Sequence, residues 1–126
     1  MSWQVYVDSN LLGTGKVDKA AIIGLQGGVW AHSAGFDIST AEQQAIIKGY
    51  TAPDTLQASG IRLAGQKYFT LSVVDRTIQG KKGADGAVIV KTKQAIIIAT
   101  YVGPVQSPEL TPIVESLADY LIGSGY

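Results

Sequence analysis

The chain has 126 residues, 46% apolar and 16% charged, with ten basic side chains balanced by ten acidic ones. It has no cysteine and one histidine, so disulfides are excluded and a metal centre would have to rest on carboxylates and His32. The length suffices for one core without staples. No apolar run approaches the roughly 20 residues of a membrane span and no leader pattern opens the chain. The expectation is one soluble, intracellular domain over residues 1–126.

Ser2 is a suitable N-cap, and Trp3, Tyr6, Val7, Asn10 and Leu11 after it keep the rhythm of a helix with one apolar stripe. Gly13 and Gly15 end that helix. Its two large rings lie where a terminus is ordinarily frayed. They are either core residues of a docked helix or part of a surface that a ligand reads. Runs 20–25 and 29–33 flank Gln26-Gly27-Gly28 and predict a hairpin with glycines at positive φ. Ser39 or Thr40 with Glu42 predicts a second, shorter helix ending at Gly49. Residues 51–60, with Pro53, Asp54 and Gly60, read as loop with at most one helical turn.

From Gly60 onward the texture is β. Segments 61–63, 68–74, 76–79, 87–91 and 94–101 alternate with turn residues and predict an antiparallel meander. Val88-Ile89-Val90 and Ile96-Ile97-Ile98 are continuously apolar, so both faces of the sheet must be covered. The helices at the two ends of the chain and between supply the cover. Thr111 as cap and Pro112 as first residue predict the start of the last helix, with Ile113, Leu117 and Leu121 on its stripe and Val114 and Ala118 beside it. Gly123 and Gly125 stop it.

Candidate chemistry is sparse. His32 stands without a motif, which leaves it a satisfied or solvent-facing strand residue rather than a catalyst. Leu11–Lys16 lacks the spacing and the Ser/Thr of a phosphate-binding loop and follows a helix. Glu115 and Asp119, one turn apart, read as solvated carboxylates. Between Arg62 and Lys93 seven bases face two acids, a local charge of +5 balanced by −5 elsewhere. This is either a set of solvated strand positions or one basic face for an acidic protein or anionic lipid; nucleic acid is disfavoured in a neutral domain without a recognised motif. Lys81 and Lys82 in the glycine-flanked segment 80–86 form either an anion-contacting turn or a solubilising hairpin tip. Trp3, Tyr6, Trp30, Tyr120 and Tyr126 come from both ends of the chain and one early strand. If the terminal helices lie side by side, the rings form a groove suited to polyproline II segments.

The opening MSWQVYVD, Gly28-Val29-Trp30-Ala31, Ala64-Gly65-Gln66-Lys67-Tyr68, Gly80-Lys81-Lys82-Gly83 and Leu117-Ala118-Asp119-Tyr120-Leu121-Ile122 resemble, in order and spacing, the profilin family, and most of all its fungal members. The resemblance covers the whole chain. It implies an α+β fold: a central antiparallel sheet of about six to seven strands, the N- and C-terminal helices packed on one face and smaller helices on the other. It also implies a cytoplasmic, cytoskeleton-associated protein without cofactor or enzymatic activity. Such a protein binds monomeric actin, promotes its nucleotide exchange and delivers it to barbed ends. It also binds proline-rich partners such as formins, and phosphatidylinositol 4,5-bisphosphate. Carried over by position, the proline-rich site is Trp3, Tyr6, Trp30, Tyr120, Leu121 and Tyr126. The actin site is Lys67, Phe69, Lys81, Lys82, Val105, Thr111 and Glu115, and the phosphoinositide site is Lys67, Lys81 and Lys82. Many family members carry a basic residue in the strand where this chain reads Phe69-Thr70-Leu71-Ser72-Val73. An alternative reading is an anionic-lipid-binding signalling module with weak actin affinity.

Overall fold

The structure, a computed structural model, describes residues 2–126. Seven strands form one antiparallel sheet in the order β2-β1-β7-β6-β5-β4-β3: β1 (Lys19–Gly24), β2 (Val29–His32), β3 (Ile61–Leu63), β4 (Gln66–Val74), β5 (Thr77–Lys82), β6 (Asp85–Lys91) and β7 (Ala95–Tyr101). The predicted meander is present, and the β1–β2 hairpin joins it through β7.

The continuously apolar strands are covered on both sides. Ala20, Ile22, Val88, Val90, Ile97 and Ala99 face a core closed by the N-terminal helix and by α4 (Ser107–Gly123). Ala21, Ile23, Ile89, Ile96 and Ile98 face a second core beneath α2 (Thr40–Thr51) and α3 (Pro53–Ser59). Side chains alternate across a strand, so consecutive isoleucines feed opposite cores.

Four helical boundaries differ from expectation. The N-terminal helix starts as α1 (Trp3–Val5), with the Ser2 hydroxyl accepting from Val5 N–H, but widens into a π-helical segment (Tyr6–Leu11) and ends in a 3-10 turn (Leu12–Thr14). Val7 and Leu11 are buried while Asn10 is exposed, so Asn10 is not part of the stripe. Gly49 does not stop α2. It lies inside it because Leu56 of α3 packs there, and a Cβ at that position would meet Leu56 Cδ1 at 2.2 Å. Residues 53–59, expected as loop, form α3 with Pro53 in its first turn.

The last helix begins at Ser107, four residues before Thr111, and runs through Pro112. Pro112 is its sixth residue, so the ring forfeits one i→i−4 bond, to the Pro108 carbonyl. Two gains offset that loss. Leu110 becomes fully buried, and Glu109 accepts from Gln106 N–H at 2.9 Å at the new start. Glu109 also pairs with Lys16 at 2.8 Å, which ties the Leu12–Thr14 turn to α4.

Glu42 does more than complete the capping box with Ser39. Its carboxylate also accepts from Ala64 and Gly65 N–H at 3.1 and 2.8 Å, holding the β3–β4 turn, where Ala64 has φ +52°. Partial burial works against the charge, but the N–H donors of Gly65, Ser39 and Ala64 outweigh it and lower its pKa.

Candidate functional site

The aromatic residues from both ends of the chain meet. Trp3 lies at the hub, its ring centre 4.6 Å from Trp30, 4.9 Å from Tyr126 and 5.6 Å from Tyr6. Tyr6 is in turn 6.0 Å from Tyr120. The expected groove residues Trp3, Tyr6, Trp30, Tyr120 and Tyr126 are therefore contiguous. Leu121 is a correction: at 1% exposure it belongs to the core under the rings, where helical spacing aligns it with Val114 and Leu117. It packs beneath the rings and is not part of the exposed aromatic surface.

Each ring is held by its element. Gln4 Nε2 donates to the His32 carbonyl at 2.9 Å, joining α1 to the end of β2 and bringing Trp3 beside Trp30. His32 serves the site through that carbonyl, and its ring Nδ1 lies 2.9 Å from Ser33 O. The main-chain oxygen of Tyr126 accepts from Gln94 N–H at 2.6 Å and from the Thr92 hydroxyl at 2.8 Å, and Tyr126 N–H donates to Leu121 O. The β6–β7 turn thus fixes the residue whose ring meets Trp3 edge-on. Hydrogen bonding with Tyr120, then burial, holds the Tyr6 phenol above its ordinary pKa, so that phenol stays a neutral donor at physiological pH.

A second surface lies on the same sheet face, over β4 and β5 beyond the cover of α4. Phe69, Leu71 and Val74 are 70%, 58% and 62% exposed. Leu71 protrudes because a bulge between Thr70 and Ser72 leaves it unpaired. A cleft of about 410 Å³ runs from Ser72 and Val74 across Thr77 and Gln79 to Thr111 and Glu115 of α4. Lys81 pairs with Phe69 in register, and Lys67 Nζ lies 5.9 Å from the Phe69 ring. Lys67, Phe69, Lys81, Thr111 and Glu115 therefore border one surface, and Val105 lies half-buried just before α4.

Two expectations about this surface change. Lys81 and Lys82 do not share a glycine-flanked loop. The strands extend to a two-residue turn at Gly83-Ala84, so the lysines are consecutive strand residues on opposite faces. Lys81 Nζ sits 5.8 Å from the Tyr101 ring, whereas Lys82 is bonded to Gln66. Glu115 and Asp119 are not merely solvated. Both grip Arg76, at 2.7 and 2.8 Å, and Glu115 also accepts from the Thr77 hydroxyl at 3.0 Å. Arg76, which fell in a predicted strand, stands in the β4–β5 turn beside Asp75. The Tyr50 hydroxyl donates to the Arg76 carbonyl at 3.0 Å from beneath, and burial followed by the Glu115 charge pushes that phenol far up. No local pattern announces this brace, because its members are about forty residues apart.

Among the described residues no group of three or more His, Cys, Asp or Glu could hold a metal ion, and no helix is long and apolar enough to cross a membrane. An aromatic row above paired terminal helices, with an exposed apolar and basic strand face beside it, defines a ligand-binding module. The profilin family model matches residues 1–126. A profilin of Saccharomyces cerevisiae is 50% identical over 127 residues, covering all of both chains. The crystallised profilin of Schizosaccharomyces pombe superposes with a TM-score of 0.95 at 47% identity, covering 99% of this chain and all of the other. Mouse profilin IIa, solved in complex with a double repeat from the FH1 domain of mDia1, shares the fold at a TM-score of 0.86 and 24% identity, with full coverage of both. The chain belongs to the profilin family.

Proposed function

We propose that this chain is an actin-monomer-binding adaptor that regulates polymerisation while holding proline-rich segments of partners such as formins. The observation that carries the reading is the continuous row of five rings drawn from the N-terminal helix, β2, α4 and the last residue. Such a row offers flat faces to proline rings and N–H and O–H donors to the carbonyls of a polyproline II ligand, whose backbone bonds are otherwise unmade. The FH1 repeat bound to mouse profilin IIa is a ligand of that chemistry. Actin is assigned to the Phe69, Leu71 and Val74 surface with Lys67, Lys81, Val105, Thr111 and Glu115 at its border. This is an apolar centre with a polar rim, as interfaces have. No step of bond making is needed, and the role is one of binding.

The test is a titration of labelled actin monomers with the purified protein, with and without a proline-rich peptide. Saturable binding to each, with neither displacing the other, is expected. Mutual displacement would refute two separate surfaces. An anionic-lipid role has one specific support, the exposed Phe69 between Lys67 and Lys81, which places an apolar side chain between two cations as membrane-surface contacts do. Flotation with vesicles containing phosphatidylinositol 4,5-bisphosphate, using Lys67→Glu with Lys81→Glu against Lys82→Glu, tests it. Equal loss from the Lys82 variant would refute that geometry.

A further inference from the structure

The two ends of the aromatic row are chemically unlike. The ring centres step 4.6, 5.6 and 6.0 Å from Trp30 through Trp3 and Tyr6 to Tyr120. The row therefore spans at most about 16 Å, about five residues of a polyproline II helix at ~3.1 Å each. Beyond Trp30 lies a cleft of about 320 Å³ between the β1–β2 turn, Lys93 and Gln94. The polar groups of Gln94 are already committed: its N–H donates to Tyr126 O, its Nε2 to Gly125 O, and its carbonyl accepts from Leu25 N–H at 2.9 Å. Lys93 is exposed and makes no ion pair among the described residues, and no carboxylate lines the cleft. Beyond Tyr120 the groove opens instead on a cleft of about 310 Å³ formed by Asn10, Ile113, Ser116 and Leu117, with no charged side chain.

Resting on the groove reading, we propose that Lys93 makes this groove select proline-rich segments carrying an acidic residue at the end that lies beside Trp30. A run of about five residues covers the rings, and the next residue must enter one of the two clefts. A polyproline II helix has similar ring faces in either direction, so the rings alone do not orient it. A carboxylate on one flank meets a cation in one direction and a neutral apolar wall in the other. Lys93 therefore sets both the flank composition and the direction of the bound chain.

The experiment measures affinity by tryptophan fluorescence for four peptides: six prolines alone, the same with two aspartates at the amino end, with two aspartates at the carboxyl end, and with two lysines at each end. The expected result is that one aspartate peptide, not both, binds about three- to fivefold tighter than prolines alone at low salt, as an exposed ion pair permits. The gain is expected to vanish at high salt and in Lys93→Ala, and to pass to the lysine peptide in Lys93→Glu. Binding of six prolines alone remains equal in all three proteins, which shows that the variants are folded. Equal affinity of the aspartate peptides and of prolines alone would overturn the Lys93 assignment while leaving the groove intact. Failure of all four peptides to bind would overturn the groove itself.

Discussion

Trp3→Ala removes the ring that touches three others and divides the row into a Tyr6–Tyr120 pair, a detached Trp30 and a detached Tyr126. Aromatic pairs of this kind contribute about 0.5–1.5 kcal/mol each. Trp3 is only half-buried, so the lower end applies, and three pairs give a stability loss of about 1.5–2 kcal/mol. For a domain of this size that lowers Tm by several degrees and leaves the protein folded at 25 °C. Binding suffers more, because a central aromatic anchor typically costs at least ~2 kcal/mol, about thirtyfold in Kd. The assay is calorimetric titration with a proline-rich peptide, in parallel with actin-monomer binding on the same preparation. Trp3→Phe is expected to recover part of the affinity. A Trp3→Ala protein that binds the peptide within threefold of the original would refute the reasoning, as would one that loses actin binding to the same degree while folded.

Gly24→Ala would bring a Cβ to 2.8 Å from Trp30 Nε1 and 3.1 Å from Gly27 O. The indole must shift, and a several-fold loss of peptide affinity with intact actin binding is expected in the same two assays. Glu42→Gln is expected to cost about 1–2 kcal/mol near neutral pH, since charge-assisted bonds to the Ala64-Gly65 turn are lost. The carboxyl has a folded pKa below its unfolded one. Its contribution is therefore complete above the unfolded value of about 4.3 and fades as pH falls through the folded value. Urea titrations at pH 7 and in acid will show the gap closing. Arg76→Ala is expected to destabilise by about 1–2 kcal/mol, because Glu115 and Asp119 lose a shared partner. Added salt is expected to narrow the difference in urea midpoint, since Asp119 is 69% exposed.

The fold was readable where one periodicity dominated. The paired apolar strands forced a two-sided sheet, and the rings expected to meet from both ends of the chain are contiguous. Leu121 shows the limit of carrying a site over by resemblance, since its own helical spacing already placed it with Leu117 in the core. Lys81 and Lys82 were misplaced for a different reason. Seven turn-forming residues in a row hide the fact that two of them suffice for the hairpin once strand pairing supplies the rest. The helix start at Ser107 was hidden by Pro112, whose local cost is of the same order as the burial of Leu110 and is offset by it together with the Gln106–Glu109 cap. The Arg76 brace could not be read at all, because it depends on tertiary contact between a turn and a helix.

Helix α4 touches both proposed surfaces, with Thr111 and Glu115 on one and Tyr120 on the other. Its 17 residues make a rod of about 25 Å at ~1.5 Å per residue, clamped at Arg76 in mid-length and tied at its end through Tyr126. Two ligands seated on such a rod are held at a fixed offset, with no flexible joint between them. A proline-rich chain that captures this protein therefore confines any second ligand to a small volume around its own attachment point. In that volume the effective concentration is set by the length of the proline-rich chain and not by the surrounding solution. The stiffness of one helix becomes, for the partner, a means of metering supply.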